Sequence, residues 1–390
     1  MTQNTEADRM IGDKDPVMIV GAGIAGLSLA IQLTEKKIPC VVLEARENFT
    51  GATSGVRISA KGVKVLENMG IRNIGEPTEK LVMYYGERTV SFDIKSTPGE
   101  RPAIIVTRQA VFEKLRERVN DLGIRVICNF RMDQVIENPD SVVAVSHDGQ
   151  SIQGKYLVGA DGVGSQTRRL LNPESHSRKR YAGYLGIGFI YPSEEKIEMS
   201  LFNNIHGNVG LGSIGKINPG DHHKNNFLWM HLPMTEAEAK AITREDVYEQ
   251  ITNRAKGWPP YLQKIFQECK TNPQTVVMHQ PVYNGSVPDK WYRDRLFLIG
   301  DAAHPYGPGG QGISMALMDA EALCDLFVNG MTEERKANFK KTRAAIAKSK
   351  GESAEERNKP ENQITTKGGL MYKSFVMKAV HVFYGGKIKL

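Results

Sequence analysis

The stretch Pro16-Val-Met-Ile-Val20, Gly21-Ala-Gly-Ile-Ala-Gly26, with Cys40-Val-Val-Leu43 and Glu44 behind it, decides the fold. A short apolar run bounded by proline and glycine reads as a buried strand. The glycines make a tight turn, and residues 27–36 read as a helix whose apolar positions are Leu27, Leu29, Ala30 and Leu33. The second apolar run ends on an acid. Strand, Gly-rich turn, helix, strand and carboxylate in this register predict a dinucleotide-binding α/β unit. Each residue type has a physical cause. Gly21 permits the turn, Gly23 lets the backbone approach a pyrophosphate, and Gly26 lets helix and strand pack closely. The helix N-terminus offers unpaired N–H groups and positive potential to the phosphates. Glu44, 23 residues after Gly21, is placed to accept hydrogen bonds from an adenosine ribose. An acid there fits FAD or NAD and repels the 2′-phosphate of NADP. Ala25 and Ala45 belong to the same expected cofactor-binding set.

Composition bounds what surrounds this unit. The chain has 390 residues, 40% hydrophobic and 24% charged, enough for a large core and two domains. No apolar run reaches the 18 residues that a membrane span needs, and residues 1–14 are polar with mixed charge, unlike a secretory signal. The expectation is a cytoplasmic protein with a disordered leader. Cys40, Cys128, Cys269 and Cys324 are far apart and suggest neither a disulfide framework nor a metal site. The net charge of +7 is misleading as a nucleic-acid signal. From Arg335 onward there are fourteen Lys/Arg against four Glu, a surplus larger than that of the whole chain, so the body is slightly acidic. A body without a basic bias argues against nucleic acid as a partner.

Further along, a helix is expected over 61–69, β-like runs over 81–94, and a helix over 108–122 opened by Arg108. Strands are expected over 125–129 and 142–146, with His147-Asp-Gly-Gln150 as a hairpin turn. Gly154-Lys-Tyr-Leu-Val-Gly-Ala160 is a further strand, and it leads into Asp161-Gly162. Two more glycine-rich stretches thus join the first: Gly159-Ala-Asp-Gly162, and Gly300-Asp-Ala-Ala-His-Pro305 running into Gly310-Gln-Gly312.

Here the chain resembles a known family. Gly159-Ala-Asp-Gly-Val-Gly-Ser-Gln-Thr-Arg168 is similar to the Asp-Gly segment of the single-component, class A FAD-dependent monooxygenases, the group of p-hydroxybenzoate, salicylate and urate hydroxylases. Leu298-Ile-Gly-Asp-Ala-Ala-His-Pro305 resembles that family's second FAD motif, and Asp319-Ala-Glu-Ala-Leu323 continues the match. The resemblance covers about 16–327. It implies FAD held at both ends, with Gly21, Gly23, Gly26 and Glu44 at the AMP half and Arg108 over the pyrophosphate and ribityl side. Asp161 and Gly162 would meet FAD, their segment also facing the nicotinamide. Gly300 and Asp301 would bind the ribityl chain, while Pro308, Gly310, Gly312 and Ile313 would lie near the flavin ring. It further implies reduction by NADH or NADPH, reaction with oxygen to a C4a-hydroperoxide, and transfer of one oxygen atom to a planar aromatic, heteroaromatic or polyketide-like molecule.

The chain also departs from the family's pattern. Only Gly309 separates Pro308 from Gly310-Gln-Gly312, where the family usually has two residues, and Ser314 stands where asparagine is often found. Gly51-Ala-Thr-Ser-Gly-Val-Arg-Ile-Ser59 occupies the place of the flavin-edge loop but carries Arg57. That arginine reads as a contact to FAD or substrate, with a surface role as the alternative.

The fold expected is α/β: a Rossmann-like FAD-binding domain over 15–181 and 288–350, an antiparallel-sheet substrate domain over 182–287, and a helical C-terminal segment over 351–390. In the middle domain, strands are expected over 183–190, 197–202, 209–214 and 227–232, with helices over 236–241 and 244–256. Trp229 and His231 share one strand face, where Trp229 can stack on a planar ring and His231 can orient or deprotonate a phenol. The alternative is a core tryptophan and a hydrogen-bonded core histidine. His304 reads as structural. The tail reads as a basic helix over 332–350, a polar loop over 351–366, and an amphipathic helix over 370–384 with Phe375, Ala379, Val382 and Phe383 near one face. Capping the substrate domain, or an oligomer contact, ranks above a membrane surface for that helix. The expected state is monomer or homodimer. Other functions left open are an FAD-dependent reductase or oxidase of another small molecule, and a non-catalytic flavin-binding redox sensor.

Overall fold

The computed structural model describes residues 15–48, 54–94, 101–174, 180–193, 195–204, 207–215, 224–255, 258–305, 311–358, 366–383 and 387–388. The leader and two expected site residues, Pro308 and Gly310, lie outside them.

Six strands form a mainly parallel sheet in the order Tyr292–Arg293, Leu296–Leu298, Tyr156–Gly159, Val17–Val20, Cys40–Leu43 and Val126–Ile127. Only the first pair is antiparallel. All four residues of Val17–Val20 are buried, which is why this central strand reads as an unbroken apolar run. The helix Ile24–Glu35 packs against Arg108–Asp121 and Gly312–Asn329. Register decides where the site falls. Val20 lies opposite both Gly159 and Leu43, and Gly159 lies opposite Leu298. All three glycine-rich stretches therefore leave the sheet side by side, at the carboxyl ends of three adjacent strands, where ligands bind in open α/β sheets.

A second sheet has eight strands, in the order Val276–Asn284, Arg180–Ser193, Lys224–Pro233, Gly207–Gly215, Met199–Asn204, Lys80–Tyr85, Arg88–Ile94 and Lys387–Ile388. One face, with Leu185, Ile187, Phe189, Leu228, Met230 and Leu232, is buried under the helices Glu236–Ala241, Arg244–Ala255 and Pro260–Thr271. The last helix was not read from the sequence, although Pro260 at its first position and buried Leu262, Ile265, Phe266 and Cys269 explain it.

Two boundaries differ from the expectation. The sheet is not confined to 182–287, because the hairpin 80–94 and the chain end join it through parallel pairings, Leu81 with Met199 and Lys387 with Asp93. Pairings over such separations leave no local signature. The loop expected over 351–366 is also wrong at its start, since one helix runs through Glu333–Asn358. A single glycine costs a helix about 1 kcal/mol relative to alanine, too little to stop one rich in Lys, Glu, Ala and Arg.

A small sheet of Gly55–Ile58, Ile104–Thr107 and Glu76–Pro77 joins the two layers. Its strands alternate. Val56, Ile58, Ile104 and Val106 pack into the core of the parallel layer, whereas Ile105 packs with Phe227, Trp229 and Met278 of the large sheet.

Candidate active site

The first turn shows what each glycine is for. Gly21 has φ +106, and a β-carbon there would lie 2.5 Å from the Ala160 carbonyl oxygen; one at Gly26 would lie 2.0 Å from the Gly21 oxygen. Those two are required by the protein's own packing. A β-carbon at Gly23 would meet nothing within 4 Å, so the chain's own packing does not require a glycine there. Gly23 also caps the helix Ile24–Glu35 without a side chain. Ala25 touches the third stretch directly: a β-carbon on Gly300, whose φ is +60, would lie 2.8 Å from that of Ala25.

Glu44 is 5% exposed. It accepts from the Ala22 N–H at 2.8 Å and from the backbone and side chain of Arg46 at 3.0 and 2.8 Å. Burial alone would raise its pKa, but these donors and the Arg46 charge hold it below the usual value. One lone pair of Oε2 remains for a further donor. Ala45 follows, half-buried.

Asp161 turns into its own loop, accepting from the Ser165 hydroxyl and from Thr167 N–H and Oγ1 at 3.0 and 3.1 Å. The adjoining Gly162 has φ +77 and open space where a β-carbon would be. Arg168, part of the quoted motif but assigned no role from the sequence, is buried and donates to the carbonyls of Asp301 and Ala302 at 3.1 and 2.9 Å. It staples the second stretch to the third.

Asp301 has no side-chain hydrogen bond among the described residues, and Oδ1 would lie 3.9 Å from a β-carbon on Gly312. Gly312 and Ile313 begin the helix Gly312–Asn329, which has no capping side chain. Ser314 is buried and accepts the Ser59 N–H at 2.9 Å, which joins this helix start to the segment that carries Arg57.

Beneath lies a charge cluster that sequence reasoning missed. Asp319 is fully buried; it accepts from the Gly300 N–H at 2.9 Å, His304 Nε2 at 2.6 Å and Arg343 Nε at 2.6 Å. Burial pushes the Asp319 pKa up, but His304, Arg343 and the amide outweigh it and hold it down. Burial likewise pushes His304 down, and Asp319 reverses this, so its pKa lies above the ordinary 6.5. His304 is thus structural, as its place after the motif aspartate suggested. Arg343 lies 24 residues from its partner, on the helix after it, so no short motif announces the pair.

On the large sheet, Trp229 and His231 do share a face, opposite to that of Leu228, Met230 and Leu232. Trp229 stacks on Phe227 with centroids 5.4 Å apart, and His231 stacks on Tyr184 at 4.2 Å. Glycine makes room for the rings. Gly188 and Gly210 flank Trp229 in register, and a β-carbon on Gly210 would fall 2.0 Å from the indole. Gly212 flanks Phe227.

Arg57 shares its strand face with Gly55, where a β-carbon would lie 2.2 Å from the Phe227 ring, and with its cross-strand partner Ile105. Its Nε and Nη2 are buried and have no hydrogen-bond partner, and burial lowers its pKa. The residue as a whole is half-buried. Arg108, in contrast, has an exposed side chain, and its N–H donates to the Ser54 oxygen at 2.7 Å.

Three glycine-rich turns at adjacent strand ends, two uncapped helix starts, and an open cradle at Gly23 define a dinucleotide-binding α/β protein whose site residues fit FAD. A family model for the FAD binding domain matches residues 14–357, and the chain belongs to that family. Among relatives, the FAD-dependent urate hydroxylase of Klebsiella oxytoca is 28% identical over 324 residues, 80% of each chain. The 3-hydroxybenzoate 6-hydroxylase 1 of Aquipseudomonas alcaligenes is 28% identical over 324 residues, 79% of each. In fold, the chain matches Klebsiella pneumoniae HpxO complexed with FAD and uric acid, at TM-score 0.74 and 23% identity over 88% of both chains. It matches P. aeruginosa PqsL in complex with 2-aminobenzoylacetate at TM-score 0.76 and 20% identity, covering 94% of this chain and 100% of that one.

Proposed function

We propose that this flavoprotein monooxygenase uses NAD(P)H and oxygen to oxygenate a planar aromatic or heteroaromatic molecule that carries an anionic or strongly accepting oxygen. The observation that carries the reading is the pair of Arg57 donors, Nε and Nη2, buried without a hydrogen-bond partner among the described residues, on the strand face that meets Phe227. A buried donor without an acceptor is costly, so these two nitrogens call for an acceptor from a bound molecule. Relatives named as hydroxylases of urate and 3-hydroxybenzoate support the same substrate class.

Bound FAD supplies the electron transfer and oxygen activation that side chains cannot. The chain's residues do the rest. Gly21 to Gly26 admit the pyrophosphate to the helix start, and Glu44 accepts from the adenosine ribose. Arg108 would meet the phosphates, and Asp301 would accept from a ribityl hydroxyl. The N–H groups of Gly312 and Ile313, at an uncapped helix start, would stabilise negative charge on the bound flavin. Asp161 keeps the Gly162 turn in shape rather than reaching outward. Trp229 gives a flat surface for the substrate ring, Arg57 orients its oxygen, and His231 accepts the phenolic proton.

The test is a compound screen for ligand-stimulated oxidation of NADH and NADPH, with the product identified by mass. Arg57→Met should raise KM about 10- to 100-fold, the worth of a charged hydrogen bond, while FAD content stays unchanged. Loss of FAD instead would move Arg57 to the cofactor, and no effect on either would remove it from the site.

A further inference from the structure

The helix Lys367–Phe383 has two apolar faces, and the packing of the chain uses one of them. Leu370, Met377 and Val380 cover Tyr85, Val90 and Phe92 at the far end of the large sheet, with Ser374 buried between them. The face expected to pack, with Phe375 and Val382, is the exposed one, at 71% and 77%. Met371, Tyr372 and Val376 extend it at 54%, 70% and 38%. At 100° per residue these five side chains span a continuous arc opposite the sheet. Lys367 and Lys378 fall on one border of that arc, both exposed.

We propose that this exposed face seats the protein on an anionic lipid surface. The charge selects the occupant. From Lys367 to Leu390 there are five lysines and no acidic residue. A second copy would bring one lysine-rich, acid-free segment against another, whereas acidic headgroups complement it. An apolar arc with aromatic rings and flanking lysines is the arrangement of a helix lying in the interface, the lysine stems crossing apolar depth to reach the headgroups. Seventeen residues give about 26 Å of contact along the surface. No helix among the described residues is long and apolar enough to cross a membrane, so the helix would lie on the bilayer. The inference does not depend on the substrate reading above.

Full-length protein should co-sediment with vesicles of phosphatidylcholine mixed with phosphatidylglycerol, but not with phosphatidylcholine alone. Phe375→Asp/Val382→Asp should reduce that partition at least tenfold, with the melting temperature and circular dichroism unchanged, because both side chains are exposed. Lys367→Glu/Lys378→Glu should reduce it about tenfold or more, given roughly 1 kcal/mol for each lysine at an anionic surface. Equal partition of wild type and the apolar-face variant overturns the proposal. So does insensitivity to the lysine changes, or a wild-type dimer in sedimentation velocity that the Asp variant splits while vesicle binding is absent.

Discussion

The parallel layer and the aromatic face of the large sheet are both shaped by glycine, yet in opposite ways. In the parallel layer, Gly21, Gly26 and Gly300 bring backbone against backbone or helix, so the site is a property of the main chain. On the large sheet, Gly188 and Gly210 make room for the side chains of Phe227 and Trp229, and Gly212 for that of Ile105, so this face is shaped by side chains. The first device serves any bound dinucleotide. The second, the proposed substrate face, is set by side chains that can change while the fold stays the same.

The sharpest way to break this contrast is to overfill a backbone contact. Gly26→Val puts a side chain against the Gly21 oxygen, and should cost about 3 kcal/mol or more through strain in a packed core. A soluble, FAD-replete Gly26→Val protein would contradict the packing described. Asp319→Asn removes the anion between His304 and Arg343, and should cost about 3–5 kcal/mol in chemical denaturation, as for a broken buried ion pair. It should also loosen FAD, because the Gly300 turn is held by the same carboxylate.

Gly210→Val tests the other region. Its side chain displaces the Trp229 ring, so substrate KM should rise about tenfold while FAD affinity holds. If FAD affinity falls equally, the two regions are not separable.

The smallest effect is on pH. The folded His304 pKa is raised above its ordinary 6.5, so its stabilisation is full below that value and fades as pH rises through the folded pKa. Asp319, held low, contributes fully above the ordinary carboxylate range and loses this as pH falls through its folded pKa. Melting temperature against pH should therefore decline on the alkaline side, and His304→Gln should flatten that decline. An unchanged slope would show that the pair does not titrate with folding.

These differences also explain what could be read in advance. Gly21, Gly23, Gly26 and Glu44 were legible because a turn, a helix start and a strand end constrain residue types within a few positions. Trp229 and His231 were legible as one face, since strand alternation is local. That Phe227 of this face meets Gly55, that Arg168 reaches Ala302, and that Arg343 returns to Asp319 depend on contacts between distant elements. The same holds for 80–94, an ordinary hairpin in sequence whose partner strand lies more than a hundred residues away. In the terminal helix, the apolar pattern announced a buried face but could not say which of two arcs would be buried.

The central claim is that the open space at Gly23 exists for the cofactor and not for the fold. Titration of FAD into apo-protein carrying Gly23→Val tests this most directly. The account expects at least a hundredfold weaker FAD binding, with the apo-protein's melting temperature within a few degrees of wild type. Wild-type FAD affinity in the variant would contradict it.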